Sequence, residues 1–312
     1  MVQMQSQKKR NNWQDIDGIL LLDKPTDISS NAILQRVRRL YQARKAGHTG
    51  SLDPLATGML PICFGEATKF TQFLLDADKC YLVMAKLGVT TSTADSQGEI
   101  LQVVTDFNIS KAQLADAVLN FVGEIQQVPP MYSALKYKGQ PLYKYARVGI
   151  EIERKPRTVN IYASEILEQT GNTFKLRVRC SKGTYIRTLV EDIGACLGVG
   201  AHVTMLHREY IAGFKNDKMH TFASLEDSDA HELANYLLPV ERTVQHLSDL
   251  HVSVAQADDL FHGKVIMQAG LNMPAGSLLR LYNNATSNFI GLGEVIDAKC
   301  LQGKRLINFL KR

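Results

Sequence analysis

Between Phe174 and Cys180 every second residue is apolar (Phe174, Leu176, Val178, Cys180), and every residue between them is cationic (Lys175, Arg177, Arg179). Side chains alternate across a strand, so this segment must bury one face and present a basic one. A turn, Ser181-Lys182-Gly183, follows. Ile186, Leu189, Val190, Ile193 and Leu197 then recur at helical spacing until Gly198 stops the pattern. The segment reads as a half-buried strand followed by an amphipathic helix. The other elements fit that frame. GILLL at 18–22 reads as a buried strand, and Ser29-Ser30 opens a helix with 33, 34, 37, 40 and 41 inward, running to about Arg44. Residues 80–87 read as a strand with Tyr81, Val83, Ala85 and Leu87 on one face, and 90–99 as a polar loop. Ser110 and Gln113 make a capping box for a helix carrying Leu114, Val118 and Phe121, ended by Gly123. Strands and helices mix without a strict βαβ repeat, so the fold class is α+β rather than doubly wound.

With 312 residues, 45% hydrophobic and 21% charged, the chain has the composition of a globular protein with one large domain and a smaller one. No run approaches the roughly 20 apolar residues that cross a bilayer. The opening MVQMQSQKKRNN is basic with no apolar stretch behind it, which excludes a signal peptide and reads as a disordered tail over residues 1–16. Five scattered cysteines without a C-x-x-C pair indicate reduced thiols in a cytoplasmic protein. With no H-E-x-x-H among the eight histidines and no cofactor motif, neither a metal nor a cofactor is expected. Past residue 247 the texture changes. A short helix capped by Ser253 and Gln256 and ended at Gly263 precedes short strands punctuated by Gly270, Gly276, Gly291, Gly293 and Gly303. That pattern suggests a small β-barrel over 248–312, behind a main domain over 17–247.

The net charge is only +5, but the cations recur in clusters, the electrostatic footprint of a phosphate-rich partner. Residues 127–157 stand out, with Pro129-Pro130, six cations from Lys136 to Lys155, and Tyr132, Tyr137, Tyr143 and Tyr145. Such a segment reads as an insertion that folds over a polyanion with flat faces. GHTGSLDPLATGMLP, at 47–61, holds a lone acid, Asp53, between Leu52 and Leu55. Its Gly-His-Thr-Gly matches the backbone clamp of KH domains only weakly, since Asp-Pro follows where a helix should begin. A carboxylate in apolar company is pushed toward its neutral form unless a cation compensates; beside an arginine it stays ionised, as a nucleophile or base requires. On these residues alone a carboxylate capping its own loop fits equally well. The residues by themselves name no reaction.

GHTGSLDPLATGMLP does not stand alone. Lys24-Pro25, Ser29-Ser30, DKCYLVMAKLG at 78–88, PPMYSALKYKGQPLYKYAR at 129–147, SKGTYIRTL at 181–189 and GAHVTMLHR at 200–208 accompany it. Together they resemble, in the family's order, the bacterial TruB-type tRNA pseudouridine-55 synthases. The resemblance implies a pseudouridine-synthase fold with a mixed, largely antiparallel central sheet flanked by helices. It also implies a thumb at 127–157 and a PUA-like RNA-binding barrel at 248–312. The implied reaction breaks the N1–C1′ bond of a T-loop uridine, turns the uracil and rejoins C5 to C1′, with no cofactor. Asp53 would be the catalytic aspartate and Arg187 its charge partner. Tyr81 would stack on the flipped uracil and take a proton late in the reaction. Tyr185 and Leu206 would line the uracil pocket, His48 would occupy space near the extruded nucleotide, and Lys24 would position substrate or loop. The implied partner is tRNA, held by its T-loop and arm and, through the last domain, toward the acceptor end; a monomer with no membrane contact is expected. Two positions depart from the family: Asp27 stands where Gly is common, and His207-Arg208 where Arg-Arg is common, which would weaken one phosphate contact. A non-catalytic tRNA-binding or tRNA-folding module is the alternative. An aspartyl phosphotransferase is disfavoured, because the second Asp and the magnesium carboxylates are missing.

Overall fold

The computed structural model describes residues 13–307. In chain order come β1 (Gly18–Lys24), α1 (Ser30–Leu40), β2 (Ala46–His48) and β3 (Thr57–Phe64). A 3-10 segment (Gly65–Phe70) runs into α2 (Thr71–Asp76), then β4 (Lys79–Leu87), the hairpin β5 (Val89–Thr91) with β6 (Ile100–Val103), and α3 (Lys111–Leu119). β7 (Gly123–Gln127) leads into the small hairpin β8 (Lys136–Tyr137) with β9 (Gln140–Pro141), and into α4 (Leu142–Ala146). The chain returns through β10 (Arg157–Thr170), β11 (Thr173–Cys180), α5 (Ile186–Cys196), β12 (Ala201–Ile211) and β13 (His220–Thr221). Among the described residues these strands form a nine-stranded sheet in the order β13-β1-β3-β12-β4-β11-β10-β7, with β2 on β3. Only β1–β13 and β3–β12 run parallel, so the sheet is mixed and largely antiparallel.

The alternation on β11 does what it must. Phe174, Leu176, Val178 and Cys180 are buried, and they join Val83, Ala85 and Leu87 of β4 beneath α1, α3 and α5 in one core. Each Phe, Leu or Val among them contributes about 1.5–3 kcal/mol on leaving water. The basic face is partly paired within the sheet. Arg177 is held by Glu209 of β12 at 3.0 Å and by Glu165 of β10 at 3.4 Å, and Arg179 lies over the Tyr162 ring at 5.6 Å. Glu209 reaches across β4 because β12 bulges there: Arg208 pairs with Tyr81 and Tyr210 with Cys80, leaving Glu209 between them unpaired.

α1 ends at Leu40, short of Arg44. Gln42 turns left-handed at φ 50, and Arg38 caps the end by donating to the carbonyls of Ala43 (3.0 Å) and Arg44 (2.9 Å). Of the tail expected over 1–16, residues 1–12 lie outside the described residues. Residues 13–15, in contrast, are held against the body. Trp13 lies under Arg38, Gln14 N–H donates to the Gln42 carbonyl, and Asp15 pairs with Arg44 at 2.6 Å. Asp27 adopts φ 60, so an aspartate does make the turn where glycine is common.

Gly58 sets how closely β3 approaches β12. At φ 96 a Cβ there would fall 2.3 Å from the Arg208 carbonyl oxygen and 2.9 Å from its nitrogen. Gly58→Ala combines that overlap with a disfavoured backbone region, and is expected to destabilise the protein by about 3 kcal/mol or more. Urea unfolding followed by circular dichroism checks this; an unchanged midpoint would refute it.

The C-terminal sheet comprises β14 (Asp249–Val252), β15 (Ile266–Met267), β16 (Leu278–Asn283), β17 (Phe289–Asp297) and β18 (Cys300–Leu306), with the Ser253-capped α-helix Val254–Phe261 against it. Its order, β14-β16-β17-β18-β15, makes a curled half-barrel around its own core. Phe289, Leu292 and Ile307 dock it on Phe70 and Val244. No helix among the described residues is long and apolar enough to cross a membrane.

Candidate active site

Lys24 ends β1 wholly buried, and its ammonium donates to the carbonyls of Pro25 (2.8 Å), Pro54 (3.2 Å) and Ala56 (2.7 Å). Two of its three donors are thus spent on the loop and the third on the adjoining Pro25, which makes it a clamp for the loop and not a group free for substrate. Burial lowers its pKa to about 8, with Asp53 and Asp27 pulling the other way. Ser30 grips the same loop from α1: its hydroxyl donates to the Leu52 carbonyl at 2.9 Å and accepts the Leu52 N–H at 2.8 Å. Leu52 and Ala56 sink into the core, so the leucine-flanked acid is carried on a turn rooted on both sides.

The Asp53 carboxylate meets Arg187 at 2.9 Å, Oδ2 to Nε. Arg187, on the first turn of α5, is 4% exposed, whereas the Asp53 side chain keeps 38% of its surface open. The rest of the guanidinium is fully engaged. Nη1 donates to the Thr93 carbonyl (2.8 Å) and approaches Asp95 Oδ2 (3.4 Å), while Nη2 donates to the Tyr132 carbonyl (2.7 Å). Asp95 is itself buried and accepts from the Thr93 hydroxyl (2.6 Å) and the Gln97 N–H (3.0 Å). Burial pushes the Asp53 carboxyl up, and the Asp95 charge adds to that; Arg187 pulls it back, and the net direction is upward.

Asp95 and Gln127 are missed by sequence reasoning. Asp95 lies in a stretch read only as a polar loop, although Thr93-Ala94-Asp95-Ser96-Gln97 has the composition of a side-chain-capped turn. Gln127, 1% exposed at the end of β7, accepts the Tyr185 N–H (2.7 Å) and donates to the Tyr185 carbonyl (3.0 Å), latching the start of α5 to the sheet. No local pattern announces that pairing.

Five of the seven residues singled out, Asp53, Tyr81, Tyr185, Arg187 and Leu206, line one open cleft of about 350 Å³, together with Lys79, Arg208 and residues 133–135 of the segment between β7 and β10. Tyr81 and Leu206 sit on adjacent strands, Tyr81 opposite Arg208 and Leu206 opposite Val83. Lys24 and His48 are not among the lining residues. His48 belongs to β2, paired with Ile62, so the Gly-His-Thr-Gly motif opens no helix. Its Nδ1 is buried with no hydrogen-bond partner among the described residues, and burial lowers its pKa, with Arg208 adding to the effect, so the ring is neutral near pH 7. His207 Nδ1 lies 2.8 Å from the Thr57 hydroxyl.

The fold recurs in solved structures. The chain superposes with a TM-score of 0.71 on a chain of a Cbf5–Nop10–Gar1 complex, at 26% identity over 93% of this chain and 84% of that one. A chain of the archaeal box H/ACA Nop10–Cbf5 complex gives 0.69 at 25% identity, over 93% and 85%. The fold is that of the pseudouridine synthases. Residues 38–186 match the TruB family pseudouridylate synthase N-terminal domain, 187–245 the tRNA pseudouridylate synthase B C-terminal domain, and 248–307 the pseudouridine synthase II TruB C-terminal region. The tRNA pseudouridine synthase B of Shewanella pealeana is 49% identical over 96% of this chain and 97% of its own length. That of Legionella pneumophila strain Philadelphia 1 is 48% identical over 94% and 96%, and that of Chromohalobacter salexigens 47% over 96% and 97%. The chain belongs to the TruB family of pseudouridine synthases.

Proposed function

We propose that this protein isomerises a uridine of tRNA, at position 55 in the T-loop, to pseudouridine, with Asp53 as its reactive group. The observation that carries the reading is the Asp53–Arg187 contact at 2.9 Å in a cleft where Asp53 is the sole carboxylate among the lining residues. A base in a folded tRNA elbow is reached only by flipping, at on the order of a few kcal/mol. Stacking on Tyr81 returns about 1–3 kcal/mol. The N1–C1′ electron pair leaves with the uracil, and Asp53 meets the reacting nucleotide as nucleophile or as counter-charge to the sugar. C5 then bonds to C1′, and its hydrogen leaves as a proton to Tyr81. Tyr185 and Leu206 shape the uracil pocket, and His48 and Lys24 support the loop from behind.

In this reading residues 17–247 are the catalytic domain, and 127–157 close over the T-loop as a thumb. Ser133 and Leu135 already reach the cleft. Residues 248–312 hold the tRNA toward its acceptor end, and the enzyme acts as a cytoplasmic monomer. Rejoining at C5 must expel the C5 hydrogen, so tRNA transcript tritiated at uridine C5 is expected to release one equivalent of tritium. The release should vanish when uridine 55 is replaced by cytidine. Tight binding without release would instead support the tRNA-folding module.

A further inference from the structure

Arg208 is 1% exposed, yet among the described residues its guanidinium forms no ion pair. Burying an unpaired charge is costly, so such a group persists only where its surroundings hold it. Two backbone carbonyls do so. Nε donates to Met59 of β3 at 2.7 Å, and Nη2 donates to Gly50, at the start of the Asp53 loop, at 2.8 Å. Nη1 packs against Gly50 so closely that a Cβ there would come within 3.2 Å of it. The third neighbour is Tyr81. β12 bulges at Thr204 and at Glu209, and the segment between keeps Arg208 directly opposite Tyr81 of β4. Directly opposed residues of an antiparallel pair share a face, and both side chains line the same cleft.

The other charged and titratable groups around that phenol narrow its electrostatics. Cys180 faces it from β11, but burial pushes that thiol up to about 12, so it is neutral. Lys79, two residues earlier on β4, spends its ammonium on the Leu75 (2.6 Å) and Leu74 (3.4 Å) carbonyls at the end of α2. Burial pushes the phenol up, and Asp53, facing it from the loop, adds to that; Arg208 is the cation that opposes them, and the net direction is upward. A carboxylate partner for Arg208 would cancel that field.

We propose that Arg208 is a positioning residue for the isomerisation, holding the Tyr81 phenol and the Asp53 loop in one register and lending its uncompensated charge to the phenolate that accepts the uracil C5 proton. The inference rests on the role given to Tyr81 above. The step balances from a resting phenol: the phenol first gives its proton to water, the phenolate then takes the C5 proton while the C5–H electron pair restores the C5=C6 double bond, and the neutral phenol is recovered as product leaves.

The test uses 3-fluorotyrosine placed at position 81 of the full chain, its 19F resonance titrated against pH. In Arg208→Met the midpoint is expected to rise by about one unit or more. The tRNA pseudouridylation kcat should fall about 10²-fold with unchanged tRNA affinity. Arg208→Lys, which keeps the charge without the fork, should restore the midpoint and part of kcat. If Arg208→Met does not fold, Gly50→Ala displaces the guanidinium from its other side and should move the midpoint the same way. An unmoved midpoint overturns the proposal, as does an Arg208→Lys kcat loss that is undiminished in a Tyr81→Phe background. A Tyr81→Phe enzyme of full kcat would instead overturn the role of Tyr81, while the titration still decides what Arg208 does to the phenol.

Discussion

Asp53→Asn is expected to abolish tritium release from C5-labelled tRNA, lowering kcat by about 10⁴-fold or more, with tRNA affinity unchanged. The substitution keeps the side-chain volume and removes only the charge. Lys24 and Ser30 hold the loop through backbone groups of Pro54, Ala56 and Leu52, none of which the change touches. Arg187 retains Asp95 and the carbonyls of Thr93 and Tyr132, so no buried cation is abandoned. Folding and binding therefore survive, and the loss reads the chemistry alone. Turnover within tenfold of wild type would remove Asp53 from its role.

Arg187→Met has the largest expected effect on both stability and activity. It strips the shared cation from Asp53 and the buried Asp95, and breaking a buried pair by deleting one partner costs about 3–5 kcal/mol. The pH dependence follows from the direction of the Asp53 shift. Its folded-state pKa already lies above the ordinary carboxylate value, and removing Arg187 raises it further. The reaction needs the ionised form, so the acid limb of kcat/KM should move to higher pH in the variant. Stability follows the same sign. A carboxyl whose folded pKa is raised favours folding below its unfolded pKa and loses that contribution as pH rises through the folded one. The variant's deficit in urea unfolding should therefore be smaller at about pH 5 than at about pH 8. Equal deficits at both would refute the account.

Much of the fold was legible because short-range rules write it. The period-two pattern of 174–180, the capping boxes at Ser110 and Ser253 and the helical spacing after Ser181 each act within a few residues, and each appears where expected. The site was legible in part. Asp53, Tyr81, Tyr185, Arg187 and Leu206 came from ordered motifs, and they share one cleft. The rest depended on long-range partners. Glu165 and Glu209 take Arg177 on the cationic face of β11, and Arg208 is buried beside the loop.

The sequence by itself determined the elements, the apolar face of each strand and helix, and a loop with one lone acid, because periodicity, caps and turns depend on neighbours a few residues away. Only the tertiary structure decided the electrostatics around that acid. Arg187 meets Asp53, Asp95 and Tyr132 from three distant segments, and Arg208 faces Tyr81 because two bulges set the register of β12. In a buried site the charge state of a carboxylate or phenol depends on which cation lies within a few ångströms, and that distance exists only once the sheet has formed.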